Sequence, residues 1–151
     1  MKVFQTTFST DITTLIPFLE KMQNRLRKHP SVLLFRVYLA NTLETQIGTE
    51  ILNLLNKFFR KEEFLAVGCT SKGNIYEGMN TNSNLLSVEF WSKKTKMVLY
   101  SYSFNELSLN EIANNIKQKM IKKNWIKSLE FFSTYINKTK GFCQILSKSP
   151  L

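Results

Sequence analysis

The chain has 151 residues, of which 43% are hydrophobic and 13% aromatic, which is enough to fill the core of one folded domain. Its formal net charge is +10, and its longest apolar runs, such as VLLF at 32–35, are far shorter than the roughly 18 residues that a membrane span needs. No signal-peptide h-region is visible in MKVFQTTFST, so we expect a cytoplasmic protein without a membrane partner. The two cysteines lack metal-site spacing, which excludes a structural zinc site.

The chain begins with a strand pattern and a helix pattern. VFQTTF at 3–8 has the β-branched and aromatic content of a short strand. Apolar residues then follow at helical spacing, and Pro17 is tolerated because it falls near the first turn. We expect this helix to end at His29, since the residue before Pro30 is pushed out of the helical region.

The same alternation continues through the next forty residues. VLLFRVYLA at 32–40 is typical of a strand covered on both faces. Asn41 and Glu44 form a capping box that predicts a second helix as far as about Arg60. FLAVGC at 64–69 predicts a third buried strand. The order strand-helix-strand-helix-strand indicates parallel strands joined by right-handed crossovers.

The pattern changes in the second half of the chain. Residues 84–91 and 96–104 alternate in period two, which predicts an antiparallel hairpin. Ser108 and Glu111 predict a capping box for a third helix, and 128–136 has the composition of one more strand. We therefore expect an α/β, mixed α+β fold: a mostly parallel β-α-β-α-β start extended by an antiparallel hairpin, with helices packed on a central mixed sheet.

The stretch GCTSKGNIYEG at 68–78 is the main candidate for binding chemistry. Gly68 and Gly73 have the frame of a phosphate loop, but no helix pattern follows, and the glycine spacing does not fit a dinucleotide fingerprint. A loop at the carboxyl end of a buried strand suits a small anionic ligand, and Thr70 and Ser71 would add hydroxyl donors. On spacing alone, a turn leading into the next strand is favoured over a binding loop.

Catalysis and nucleic-acid binding are the two further classes that the residues bear on. Cys69 would need a base to act as a nucleophile, and the single histidine, His29, is expected at the other edge of the sheet, so we expect no enzyme and no catalytic residue. After Ile112 there are eight lysines and one acid, Glu130. Lysine does not replace arginine in bidentate phosphate or base contacts, so nucleic acid is not the partner that the sequence favours.

The stretch FLAVGCTSKGNIYEG follows a predicted strand-helix-strand-helix order and precedes a predicted hairpin that contains VEFW. In this order of elements, the chain resembles the N-terminal FIST domain, a sensory module. In that family a strand leads into a Gly-Cys-Ser/Thr-Thr/Ser-small-Gly-Glu-Ile sequence, followed by a loop and a strand that ends in an aromatic residue. The positions that match are Gly68, Cys69, Thr70, Ser71, Gly73 and Ile75. Lys72 stands where the family has a small residue, and Asn74 stands where it has glutamate.

The resemblance implies a single domain over residues 1–151 that senses an amino acid or a similar metabolite without a cofactor. Relative to the family, the chain is either a fragment of a longer signalling protein or a shortened member. It implies a role as the input module of a signal-transduction protein, joined to or associated with a cyclase, kinase or chemoreceptor module. The implied ligand-binding residues are Gly68, Cys69, Thr70, Ser71, Gly73 and Asn74. The alternative is a truncated interaction or homodimerisation module that docks through a sheet edge or its lysine-rich last third.

Overall fold

The computed structural model describes residues 2–40, 45–71, 74–77, 79–103, 105–126 and 129–130. Residues 1–99 and 100–151 form two compact units, each of which is described by itself. The strands of the first unit are β1 (Lys2–Phe8), β2 (Ser31–Ala40), β3 (Phe64–Ser71), β4 (Asn74–Tyr76), β5 (Met79–Thr81) and β6 (Asn84–Ser92). Its helices are α1 (Ile16–Lys28) and α2 (Thr45–Phe58), and the second unit contains α3 (Leu109–Lys122). In the described residues, no helix has the length and apolar character needed to cross a membrane.

The first unit is built on a four-stranded mixed sheet with the order β1-β6-β2-β3. β2 and β3 pair in parallel, and β6 lies between β1 and β2, antiparallel to both. β1, β2 and β3 therefore run in the same direction, as the strand-helix alternation predicts. The predicted mixed α/β fold class is confirmed.

The pairing of β6 differs from the predicted hairpin. β6 covers the predicted strand at 84–91, but its partners are β1 and β2, and the described residues 96–103 form no strand. The alternating side chains of this second segment make other contacts, because Tyr102 packs against the apolar side of α3 instead of against a neighbouring strand. A short hairpin is present between β4 and β5.

The core of the first unit lies between one face of the sheet and the two helices. Alternate residues of β2 face the helices, so Phe35 is fully buried and its ring centroid lies 5.3 Å from that of Phe59 and 5.7 Å from that of Phe64. Leu19 of α1 and Leu55 of α2 are fully buried in the same cluster. Both helices therefore cover one face of the sheet, and the charged residues of β2 and β6 belong to its other face.

The ends of α1 follow from the sequence. A 3₁₀ turn at Ile12–Leu15 precedes the helix, and the Asp11 carboxylate accepts a hydrogen bond of 3.0 Å from the Thr13 N–H. Pro17 lies in the first turn, where its missing N–H has no intrahelical partner to lose. His29 is the C-cap, as predicted. The capping box predicted at 41–44 lies outside the described residues.

The second unit is organised around α3. Ser108 and Glu111 form the predicted capping box, in which the Ser108 N–H donates to Glu111 Oε2 at 2.8 Å and the Glu111 N–H donates to Ser108 Oγ. Three residues of the helix, Ile112, Ala113 and Ile116, are buried, and Tyr102 and Leu107 pack against them. Residues 129–130 of the strand predicted at 128–136 have no regular structure, and residues 128 and 131–136 lie outside the described residues.

Candidate functional site

The structure places the first four of the six implied ligand-binding residues in β3. Gly68, Cys69, Thr70 and Ser71 form the carboxyl half of this strand, in register with Val37–Ala40 of β2. The sequence predicts a strand that ends at residue 69, whereas the strand continues to Ser71 because β2 extends far enough to pair with it. Gly73 lies outside the described residues. Asn74 is the first residue of β4 and pairs with Thr81.

These residues do not share one surface. Side chains alternate along a strand, so Thr70 lies on the face of the buried Leu39, toward the helices. Cys69 lies on the opposite face, beside Tyr38 of β2. A single pocket lined by Cys69 and Thr70 side chains is therefore not compatible with the strand.

Gly68 has a packing role that explains its identity. A Cβ atom at this position would lie 3.0 Å from the Val37 carbonyl oxygen and 3.2 Å from the Val37 Cβ. Contacts this short require the neighbouring strand to shift, so glycine lets β3 approach β2 closely. The first glycine of the stretch therefore serves strand pairing.

The turn between β4 and β5 uses the last part of the same stretch. Tyr76 of β4 pairs with Met79 of β5, which closes a tight hairpin between the two strands. Glu77 has φ of 51°, the left-handed region that such turns require and that glycine or asparagine adopts at less cost. Much of GCTSKGNIYEG is therefore strand and hairpin.

The side chain of Cys69 is an uncharged thiol. Burial raises the pKa of the Cys69 thiol, so it is protonated at neutral pH. His29 precedes β2, whereas Cys69 pairs with Tyr38, which lies seven residues beyond Ser31, roughly 23 Å along the strand. His29 therefore lies at the opposite end of the sheet from Cys69, as the sequence predicts. No group of three or more His, Cys, Asp or Glu residues that could hold a metal ion occurs among the described residues.

A polar cluster on the face of the sheet away from α1 and α2 was not predicted from the sequence. Arg36 of β2 forms an ion pair with Glu89 of β6, and each side chain is only 13% exposed. The Trp91 indole N–H donates a hydrogen bond of 2.9 Å to the second carboxylate oxygen of Glu89. Ser87, which is buried, lies opposite Arg36 in the strand register. We call this set, Arg36, Ser87, Glu89 and Trp91, the polar sheet face.

Strand register connects the polar sheet face to the glycine stretch. Arg36 is in register with Val67 of β3, and Tyr38 is in register with Cys69. Side chains two residues apart on a strand share a face, so Cys69 lies on the same face as Arg36, one strand away. Cys69 is thus an implied ligand-binding residue that lies on the side of the sheet occupied by these charges.

The polar sheet face has the chemistry to bind a molecule that carries both charges. A guanidinium group forms paired hydrogen bonds with a carboxylate, and a carboxylate accepts hydrogen bonds from an ammonium group. Removing two charges from water is costly, and a buried ion pair is weak evidence for a purely stabilising role. Charged groups held in such surroundings are therefore candidates for binding.

The sequence contains a signal for each of the two charged residues of this cluster, but no signal that they lie together. Arg36 and Glu89 are charged residues in the middle of otherwise apolar strands, FRVYL and VEFW. Their proximity depends on β6 lying next to β2. The hairpin predicted between 84–91 and 96–104 does not pair β6 with β2, so it does not predict that Arg36 and Glu89 meet.

The chain was compared with known proteins at three levels. No family model matches it, and neither the curated proteins nor the solved structures yield a match. Inference about function therefore depends on the geometry of the chain itself.

Proposed function

We propose that residues 2–99 form a small-ligand sensory domain that binds an amino acid or a similar zwitterionic metabolite on the polar sheet face. The observation that carries the proposal is the ion pair between Arg36 and Glu89, which is 13% exposed on each side and is bonded further to Trp91. The ligand binds by exchange: its carboxylate replaces Glu89 on Arg36, and its ammonium group replaces Arg36 on Glu89. The charge of the site is balanced before and after.

This proposal gives the departure at Asn74 a reason. The FIST family has glutamate at that position, and this chain has an amide. In the proposed site, Glu89 supplies the carboxylate for the ligand's ammonium group. Cys69 contributes an uncharged thiol on the same face, and Gly68 contributes the close packing of β3 against β2.

Signalling follows from binding only where the ligand prefers one of two states of the protein. We propose that the domain is a cytoplasmic input module, fused to or associated with a cyclase, kinase or chemoreceptor module. The broken ion pair is the local change: in the free protein the side chains of Arg36 and Glu89 bind each other across the paired strands β2 and β6, and in the bound protein each binds the ligand.

Isothermal titration of the full chain with a panel of amino acids tests the proposal. We expect the wild type to bind at least one of them saturably. We expect no binding by the Arg36→Gln/Glu89→Gln double variant, which removes both charges and so leaves neither of them without a partner. The matched control is Arg60→Gln/Glu63→Gln, which removes an ion pair whose arginine is 81% exposed, and it should bind as the wild type does. Blocking the ligand's amino or carboxyl group should weaken binding by about tenfold or more.

Two results would contradict the proposal. One is the absence of binding heat for every amino acid with a folded wild-type protein. The other is equal affinity of the wild type and the Arg36→Gln/Glu89→Gln variant, since the ion pair would then lie outside the site.

A second candidate function is homodimerisation by strand addition. Within the described residues β3 borders only β2, and Gly68 and Thr70 in its carboxyl half are exposed. Such an edge accepts a strand from a second copy of the chain. Sedimentation tests this function: a concentration-dependent dimer supports it, and a monomer over the whole concentration range excludes it.

A further inference from the structure

The second unit has lysines along one flank of α3. The buried side of the helix contains Ile112 and Ile116. Lys119, Lys122 and Lys123 lie at positions i, i+3 and i+4, which places the three on one flank of the helix and its last turn. Lys122 is exposed, and the other two are half-buried.

Aromatic rings are interleaved with these lysines. The Lys119 Nζ lies 3.9 Å from the centroid of the Tyr100 ring and 5.0 Å from that of Tyr102. The Lys123 Nζ lies 5.6 Å from the centroid of Tyr100 and 5.9 Å from that of Trp125. Two ammonium groups therefore lie between three rings.

Within the part of the chain that the structure describes, none of the lysines at 119, 122 and 123 forms an ion pair with an acidic side chain. Glu111, the acidic residue of α3, is engaged with Ser108 in the capping box at the other end of the helix. A ring attracts an ammonium group through its quadrupole but leaves the charge in place.

We propose that this surface, formed by Tyr100, Lys119, Lys122, Lys123 and Trp125, binds single-stranded nucleic acid without sequence preference. The lysines contact phosphates, and the rings of Tyr100 and Trp125 stack on bases. Single-strand-binding surfaces combine a basic track with aromatic side chains in this manner. The inference concerns the second unit and is independent of the ligand site proposed above.

The composition favours a single strand over a duplex. All four arginines of the chain, Arg25, Arg27, Arg36 and Arg60, precede residue 61, so the surface lacks the bidentate groups that identify bases in a duplex groove. Aromatic rings stack on bases only where the bases are unpaired. Lysine acts as a point charge on phosphate, so affinity should depend on salt.

Fluorescence anisotropy of the full chain with a labelled oligothymidine of about 15 nucleotides tests the inference. Three phosphate contacts on a single strand predict a loss of about 20-fold in affinity over a fourfold increase in salt. Lys119→Gln/Lys123→Gln should weaken binding about tenfold, because it removes two of the three contacts. Tyr100→Ala should also weaken binding about tenfold through loss of stacking.

The control for charge is Lys93→Gln/Lys94→Gln, which removes two exposed lysines from the turn after β6 and should leave affinity unchanged. Circular dichroism of each variant confirms that it is folded. Trp125 provides a readout of stacking, because its fluorescence should be quenched by the oligothymidine in a Trp91→Phe background.

The inference is overturned by equal affinity for the oligothymidine and a duplex of the same length, since charge alone would then explain binding. It is also overturned if the Lys93→Gln/Lys94→Gln control weakens binding as much as Lys119→Gln/Lys123→Gln does. Binding to vesicles of anionic phospholipid without binding to the oligothymidine would assign the surface to a membrane and overturn it as well.

Discussion

The two units place their charged groups in different surroundings. In residues 2–99, Arg36 and Glu89 are nearly buried and paired with each other on a sheet. In residues 100–126, Lys119 and Lys123 lie against aromatic rings on a helix flank and have no acidic partner among the described residues. A buried pair of opposite charges suits a small zwitterion, whereas a row of positive charges between rings suits a polyanion with stacked bases. The two arrangements are the basis for the two binding chemistries that we propose for this chain.

The hydrophobic cores of the two units also differ, because the described core of the first unit is larger than that of the second. Phe35 is fully buried within a cluster formed by the sheet and two helices, whereas Ile116 belongs to a cluster that has three buried members among the described residues. We expect Phe35→Ala to lower the free energy of unfolding by about 3–5 kcal/mol and Ile116→Ala by about 2 kcal/mol. Urea denaturation measures both, with Leu52→Ala, on the exposed side of α2, as a control that changes little. Equal losses for the first two variants would contradict the difference between the cores.

Removing one member of the buried pair should have the next largest effect. Glu89→Gln takes away the carboxylate that faces the guanidinium of Arg36, and we expect a loss of about 3 kcal/mol. The Arg36→Gln/Glu89→Gln double variant should recover most of that loss, since it leaves no unpaired charge. A double-mutant cycle from urea denaturation measures the coupling. Additive effects would show that the two side chains do not interact in solution.

The capping box tests the second unit alone. Ser108→Ala should destabilise α3 by about 1 kcal/mol. The hydrogen bonds from Ser108 hold the pKa of the Glu111 carboxyl below its ordinary value, so the ionised form is favoured in the folded state. This contribution is present above the ordinary pKa of glutamate and is lost as the pH falls below about 4 through the lowered pKa. Helix content followed by circular dichroism against pH should fall at higher pH in Ser108→Ala than in the wild type; coincident curves would contradict the effect.

The smallest effect is a gain in the first unit. Gly48 lies in α2, and a Cβ atom at this position meets nothing within 4 Å. Gly48→Ala should raise the free energy of unfolding by about 0.5–1 kcal/mol, since alanine loses less backbone entropy in a helix. The shift in the thermal midpoint measures it. A lower midpoint would show that this position is not helical in solution.

The parts of the fold that were predicted are those set by local pattern. Helical spacing and the residues at its ends placed α1 and α3, down to the C-cap at His29 and the capping box at Ser108. The hairpin prediction was wrong because alternation shows that a segment is suited to a strand but not what it pairs with. Residues 96–104 alternate as β6 does, yet the contacts of Tyr102 with α3 lie outside the range of any local pattern.

The candidate binding sites were harder to predict from the sequence than the helices and strands. The residue types of the stretch at 68–78 resemble a binding motif, whereas the structure explains Gly68 by the close approach of β3 to Val37. Arg36 and Glu89 are far apart in the chain and meet only because β6 is inserted between β1 and β2. The sequence shows that the last third of the chain is rich in lysine. It does not show that Lys119, near the end of α3, lies over the ring of Tyr100, which precedes the helix in the chain.

The chain offers one measurement that addresses both binding chemistries, because it has two tryptophans, Trp91 in the first unit and Trp125 in the second. Nitrogen-15 correlation spectra resolve the two indole N–H signals, and a Trp91→Phe variant assigns them. We predict that a zwitterionic amino acid shifts the Trp91 signal, which depends on Glu89, and leaves Trp125 unchanged, whereas an oligothymidine shifts only Trp125. Movement of both signals with either ligand, or of neither with both, would contradict two separate binding chemistries in this chain.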